Sequence, residues 1–155
     1  FVYNDNLSYE DSYGLLYTWS AATNGAAASS SIPSGVQGVC PSGWHLPSNA
    51  EYEQLIDFLG GESVAGGKLK EAGYSHWDSP NTGATNESGF TFLGTGYKDV
   101  YGDFRVLRQW GYAWTASENT SYYGAILATM HKEATAYPSY STRKGTGCAV
   151  RCIKD

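Results

Sequence analysis

No stretch of this chain approaches the ~20 consecutive apolar residues needed to cross a bilayer as a helix. Its opening, FVYNDNLSYED, has neither the basic start nor the apolar run of a signal peptide. A basic stripe is missing too: 10 Lys and Arg stand against 15 Asp and Glu, for a formal net charge of -5. The one cluster, RKG at 143–145, is too short to track a phosphate backbone, which argues against a nucleic-acid partner. Charge of either sign is scarce, at 16% of residues against a typical ~25%. What stands in its place is aromatic: 13 Tyr, 5 Trp and 5 Phe bring the aromatic share to 15%. Such rings pair a flat apolar face with a polar tip and suit sugars and protein surfaces, although any single ring more often fills a β-rich core. A length of 155 residues matches one domain, large enough to bury a core without a metal.

Zinc-type spacing is also lacking. His45, His76 and His131 are scattered singly, with no paired Cys or His nearby, so each reads as structural or surface. With only three cysteines, any disulfide leaves an odd thiol. Cys148 and Cys152 are too close in sequence to bond if they lie on a strand, where they share a face roughly 13 Å apart. Any bridge therefore involves Cys40, and closing so long a loop is worth on the order of 4 to 5 kcal/mol in the chain-entropy model.

The stretch CPSGWHLPSNAEYEQLIDFLGG, 40–61, carries the clearest local signal. Ser48 and Glu51 form an S-x-x-E capping box, Tyr52, Leu55, Ile56 and Leu59 follow at i, i+3, i+4 and i+7, and Gly60 closes the helix. Cys40, Pro41, Gly43 and Trp44 make a tight approach, and His45 is placed to hold a loop carbonyl. We expect a scaffold element, with Trp44 and the apolar stripe buried. Upstream, EDSYGLLYTWSAATNG offers Asp11 and Ser12 as caps and Asn24-Gly25 as a stop, yet Leu15, Tyr17 and Trp19 also alternate like a strand; periodicity does not decide between the two. AAASSS at 26–31 reads as loop. A second helix is expected over 63–72 despite Gly66-Gly67. HWDSPNTGATNESGF is loop material whose Asp78, Asn81, Asn86 and Glu87 fit turns better than a cation site. Strand-type content follows in FTFLGTGY, DFRVLRQWGYAWTAS, YYGAILATM and CAVRCI. Helices first and an antiparallel β meander after them predict an α+β fold.

In order along the chain, YGLLYTWSAA, CPSGWHLPSNAEYEQL, LGGESVAGGKLKEAG, HWDSPNTGATNESGFTFL, WGYAWTASE and AVRCIKD resemble the Fibrobacter succinogenes major paralogous domain, found in exported bacterial proteins. That family is similar to the formylglycine-generating, sulfatase-modifying group. The resemblance implies a C-type-lectin-like fold over 1–155, with N-terminal helices packed on the meander. It also implies secretion or a cell-surface location, a Cys40–Cys152 disulfide, and a buried free thiol at Cys148. Relatives usually carry a further strand segment before FVYNDN, which raises the expectation of a neighbouring chain that donates a strand beside CAVRCI.

The formylglycine-generating enzymes hold copper with a closely spaced Cys pair. The matching region here, YYGAILATMHKEATAYPSYSTRKG, contains no Cys, and no Ser/His/Asp or paired-carboxylate motif replaces it. We therefore expect no catalytic residues, cofactor or metal. The expected role is a binding, adhesion or structural module, with a divergent oxidase-like enzyme as the alternative. The fold type places ligand contacts on the later half, 101–147. Candidate contacts to a glycan or protein are Trp110, Tyr112, Tyr122 and Tyr123, followed by His131, Tyr137, Tyr140 and Arg143. Trp114 is assigned to the core.

Overall fold

The computed structural model describes residues 1–155. It is an α+β fold with short helices and antiparallel sheets. The ambiguous N-terminal stretch resolves into both of its readings. A one-turn helix α1, Glu10–Tyr13, stops at Gly14, whose φ of 71° is left-handed. Tyr17 then makes an antiparallel bridge to Cys148, and α2, Trp19–Ala22, follows. Asp11 and Ser12 lie inside α1 and are not caps; the side-chain cap is Thr18, whose hydroxyl accepts from the Ala21 amide. Asn24 and Gly25, at φ 53° and 74°, form the expected stop.

Strand β1, Trp44–His45, leads into α3, Asn49–Phe58. Both halves of the capping box are present: the Glu51 amide donates to Ser48 Oγ at 3.3 Å and the Ser48 amide to Glu51 Oε2 at 2.8 Å. Tyr52, Ile56 and Leu59 are buried and Leu55 is half-buried. Trp44 departs from expectation at 39% exposure, because strand β1 turns its ring outward and its neighbour His45 inward. Helix α4, Glu62–Leu69, ends earlier than predicted. Its Gly66-Gly67 pair weakens helix propensity but is required for packing: a Cβ on Gly66 would stand 2.1 Å from the Thr135 carbonyl oxygen, and one on Gly67 2.3 Å from that of Gly83.

Two short strands, β2, Tyr97–Lys98, and β3, Phe104–Arg105, form a hairpin around the VYGDF turn. Only the end of FTFLGTGY is therefore strand. The main sheet is an antiparallel meander of β4, Trp110–Glu118, β5, Tyr123–Met130, and β6, Ala136–Arg143, in the order β4-β5-β6. The sequence reading missed β6. Pro138 argues against a central strand, and β6 escapes that objection by lying at the edge, where a missing N–H is tolerated.

Each face of this sheet packs on a different layer, which explains why nearly all of β4 is buried. Ala113, Leu127 and Ala136 face α3 and α4 through Tyr52, Ile56, Leu59 and Leu69. Tyr112, Trp114, Ala116, Ile126 and Ala128 face Trp19, Ala22, Val36, Cys40, Leu46 and Cys148. Trp114 is fully buried, with its indole N–H donating to the Tyr17 carbonyl at 2.7 Å.

CAVRCI is not one continuous strand. Cys148 pairs with Tyr17 on one flank, Ala149 bridges Ala113 on the other, and β7, Ile153–Lys154, pairs with β1. Between them, the backbone N–H and C=O groups of Val150 and Cys152 find no hydrogen-bond partner in the chain. Cys40 and Cys152 form the disulfide, across a separation of 112 residues, and Cys148 is the buried free cysteine.

Candidate binding groove

Two regions collect the conspicuous side chains, and they differ in how their polar atoms are used. The first lies around His45, which is buried between two carboxylates. Nε2 faces Glu51 Oε1 at 2.8 Å and Nδ1 faces Asp155 Oδ1 at 2.7 Å. The partners are thus carboxylates and not the loop carbonyl expected from sequence. Burial alone lowers the imidazole pKa, but the hydrogen bonds to Glu51 and then Asp155 outweigh it and leave the ring above its ordinary value. Glu51 is shared: Oε2 takes the Ser48 and Ser34 amides while Oε1 takes His45. This clamp joins the start of α3, β1 and the end of β7, close to the Cys40–Cys152 bridge.

The second region lies where β6 and the β2–β3 hairpin approach. A cleft of about 360 Å³ is walled by Tyr97, Tyr101, Tyr112, Tyr140 and Arg143. A wider cleft of about 560 Å³ adjoins it, with Tyr122, Tyr123 and Lys144 on its walls. Val100 and Arg143 belong to both clefts, so the two form one groove with Arg143 on the dividing wall. Tyr101 and Tyr122 are 82% and 78% exposed, and Tyr140 is 45% exposed. Tyr112 is buried and forms the floor. Burial, then the neighbouring Tyr140, pushes its phenol well above the ordinary range. The rings brace one another: Tyr97 meets Tyr112 edge-on at 5.5 Å, and Trp110 stacks on Tyr112 at 5.5 Å with planes 3° apart. Tyr97 and Tyr112 hydroxyls make no hydrogen bond within the chain, in contrast to Tyr137, whose hydroxyl donates to Glu133 Oε2 at 2.6 Å.

The structure therefore brings Tyr112, Tyr122, Tyr123, Tyr140 and Arg143 together on one groove. Trp110 and Tyr137 support it from beside Tyr112 and Tyr140. His131 does not join them. It is buried on the loop side, with Nδ1 set 3.0 Å from the Ser79 carbonyl oxygen. Sequence reasoning missed Tyr97, Asp99 and Tyr101. Their signal was the VYGDF turn itself, which folds the 97–105 hairpin over the end of β6. The loop candidates for a cation are engaged separately: Asp78 pairs with Arg108 at 2.9 Å, Glu87 with Lys68 at 2.9 Å, and Asn81 and Asn86 hold turn backbone.

Lys70 supplies the order on that loop side. It is fully buried, and its ammonium donates to the carbonyls of Thr82, Met130 and Glu133 at 3.0, 2.9 and 2.7 Å. Burial lowers its pKa to about 8. Cys148, at the back of the first cleft, is 1% exposed, and burial raises its pKa far above that of a reactive thiol.

The Fibrobacter succinogenes major domain model matches residues 1–154. The chain belongs to this family. No curated protein and no solved structure matches the chain. The match covers the groove and, of the clamp, His45 and Glu51. No helix of the domain is long and apolar enough to cross a membrane. The Cys40–Cys152 bridge is a bond of oxidising compartments.

Proposed function

We propose that this domain is a non-catalytic binding or adhesion module of a secreted or cell-surface bacterial protein, built on a C-type-lectin-like scaffold, and that the tyrosine groove takes a glycan. The observation that carries the reading is the exposed aromatic wall of Tyr101, Tyr122 and Tyr140 around a cation. Sugars present apolar C–H faces rimmed by hydroxyls, and phenol rings with polar tips answer both. The inaccessible Cys148 thiol supports the non-catalytic part, since a thiol that stays protonated neither attacks nor ligates. A glycan and polysaccharide screen of the isolated domain tests the reading. Binding that disappears in Tyr140→Ala, with the melting temperature kept, is expected; binding that survives in Tyr140→Ala and Tyr101→Ala places the ligand elsewhere.

The same reading includes a neighbouring chain that adds a strand beside Val150 and Cys152. Its support is the open backbone of these residues, since unpaired edges template further strands. In the isolated domain both amides should exchange with solvent quickly and become protected on assembly. Slow exchange in a monodisperse sample would overturn it.

A further inference from the structure

Resting on the glycan reading of the groove, we infer that its ligand is an acidic saccharide, whose carboxylate or sulfate is held by Arg143 while its ring lies against the tyrosines. The argument is a local charge balance. The cations around the groove other than Arg143 are matched. Arg105 donates from Nε to Asp99 Oδ2 at 3.2 Å and from a terminal nitrogen to Asp103 Oδ2 at 2.6 Å. Lys144 pairs with Glu118 and lies over the Trp19 ring, 4.2 Å from its centroid. Lys98 pairs with Asp5 at 3.6 Å. Arg143 pairs with no carboxylate, although it forms the wall shared by both clefts.

Asp99 is the one carboxylate on the cleft wall, and it is turned away from any ligand. Its Oδ1 accepts the amides of Tyr101 and Asp103 at 2.9 and 3.0 Å, and its Oδ2 accepts Arg105. The titratable neighbours that act on the Arg143 guanidinium are the phenols of Tyr101 and Tyr123, which do not neutralise it. A guanidinium presents five N–H donors in a planar fork that matches a carboxylate or sulfate in two-point geometry. The domain's net charge of -5 draws no anion by its overall field, so an acidic sugar bound here must be recognised locally.

The test uses tetragalacturonate, its fully methyl-esterified form, and a 6-O-sulfated galactotetraose, together with a panel of neutral oligosaccharides, all titrated calorimetrically into the whole domain. Tetragalacturonate or the sulfated sugar should bind at least tenfold more tightly than the methyl ester, and the preferred one of the two identifies the anion. Arg143→Gln should remove that preference, Arg143→Lys should retain part of it, and added salt should weaken binding of the acid form alone. Arg143 is exposed, so circular dichroism of both variants should match the unaltered protein. Binding of both acidic sugars no tighter than that of the methyl ester, or binding of neutral sugars only, overturns the acidic ligand and leaves the glycan reading standing. Silence on every saccharide, acid and neutral, overturns both.

Discussion

The His45 clamp and the tyrosine groove lie in one small domain and use polar atoms in opposite ways. In the clamp, both ring nitrogens of His45 and both oxygens of Glu51 are engaged by other groups of the chain, and a disulfide stands beside them. In the groove, large rings stay exposed and the Arg143 charge has no carboxylate partner. In the clamp the His and its two carboxylates join β1, the start of α3 and the residue after β7. Unused hydrogen-bonding capacity beside exposed rings is the better guide to a binding surface.

Perturbing the clamp should damage stability and spare binding. The largest effect is expected from Cys40→Ala with Cys152→Ala, which reopens a loop of 112 residues and should cost on the order of 4 to 5 kcal/mol in urea denaturation. Thiol titration in denaturant should find one reactive group before reduction, Cys148, and three after it; three before reduction would contradict the bridge. Next, Ile56→Ala empties a site that is 2% exposed under the sheet and should lower stability by about 2 to 5 kcal/mol. A variant that melts normally but no longer binds would show that α3 is part of the site.

Lys70→Met leaves three carbonyls without their donor and should cost roughly 1 to 3 kcal/mol, seen as a lower denaturation midpoint. If its midpoint is unchanged, the three bonds do not hold those loops. A smaller effect should follow from pH. The His45 pKa is raised in the folded state, so its contribution is fully present below the unfolded value of about 6.5 and is lost as pH rises through the folded pKa. Melting temperature should therefore fall across that window in the unaltered domain and fall less in His45→Gln; identical profiles would remove the histidine from the clamp.

How much of this was legible in sequence depended on how local the signal was. The capping box, the buried stripe of α3 and the Asn24-Gly25 stop are set by neighbours within a few residues and were readable. Trp44 was not, because its exposure depends on how β1 pairs with β7, at the far end of the chain. Strand β6 was hidden by Pro138, whose cost depends on whether the strand is central or at the edge. The later half was marked as aromatic from its composition, but the groove was not legible, and Tyr112 and His131 are buried. Composition gives no way to separate His131, turned into the loops, from Tyr140, turned out, and it does not show that the 97–105 hairpin folds over β6 to supply Tyr97 and Tyr101.

The division between holding and binding is tested most directly by titrating one saccharide that binds the unaltered domain into two variants, Tyr140→Ala and His45→Gln, with the melting temperature of each recorded alongside. The account predicts that Tyr140→Ala keeps its melting temperature within a few degrees and loses binding, while His45→Gln melts lower and binds as before. The reverse pattern, with binding lost on changing His45 and kept on changing Tyr140, would contradict it.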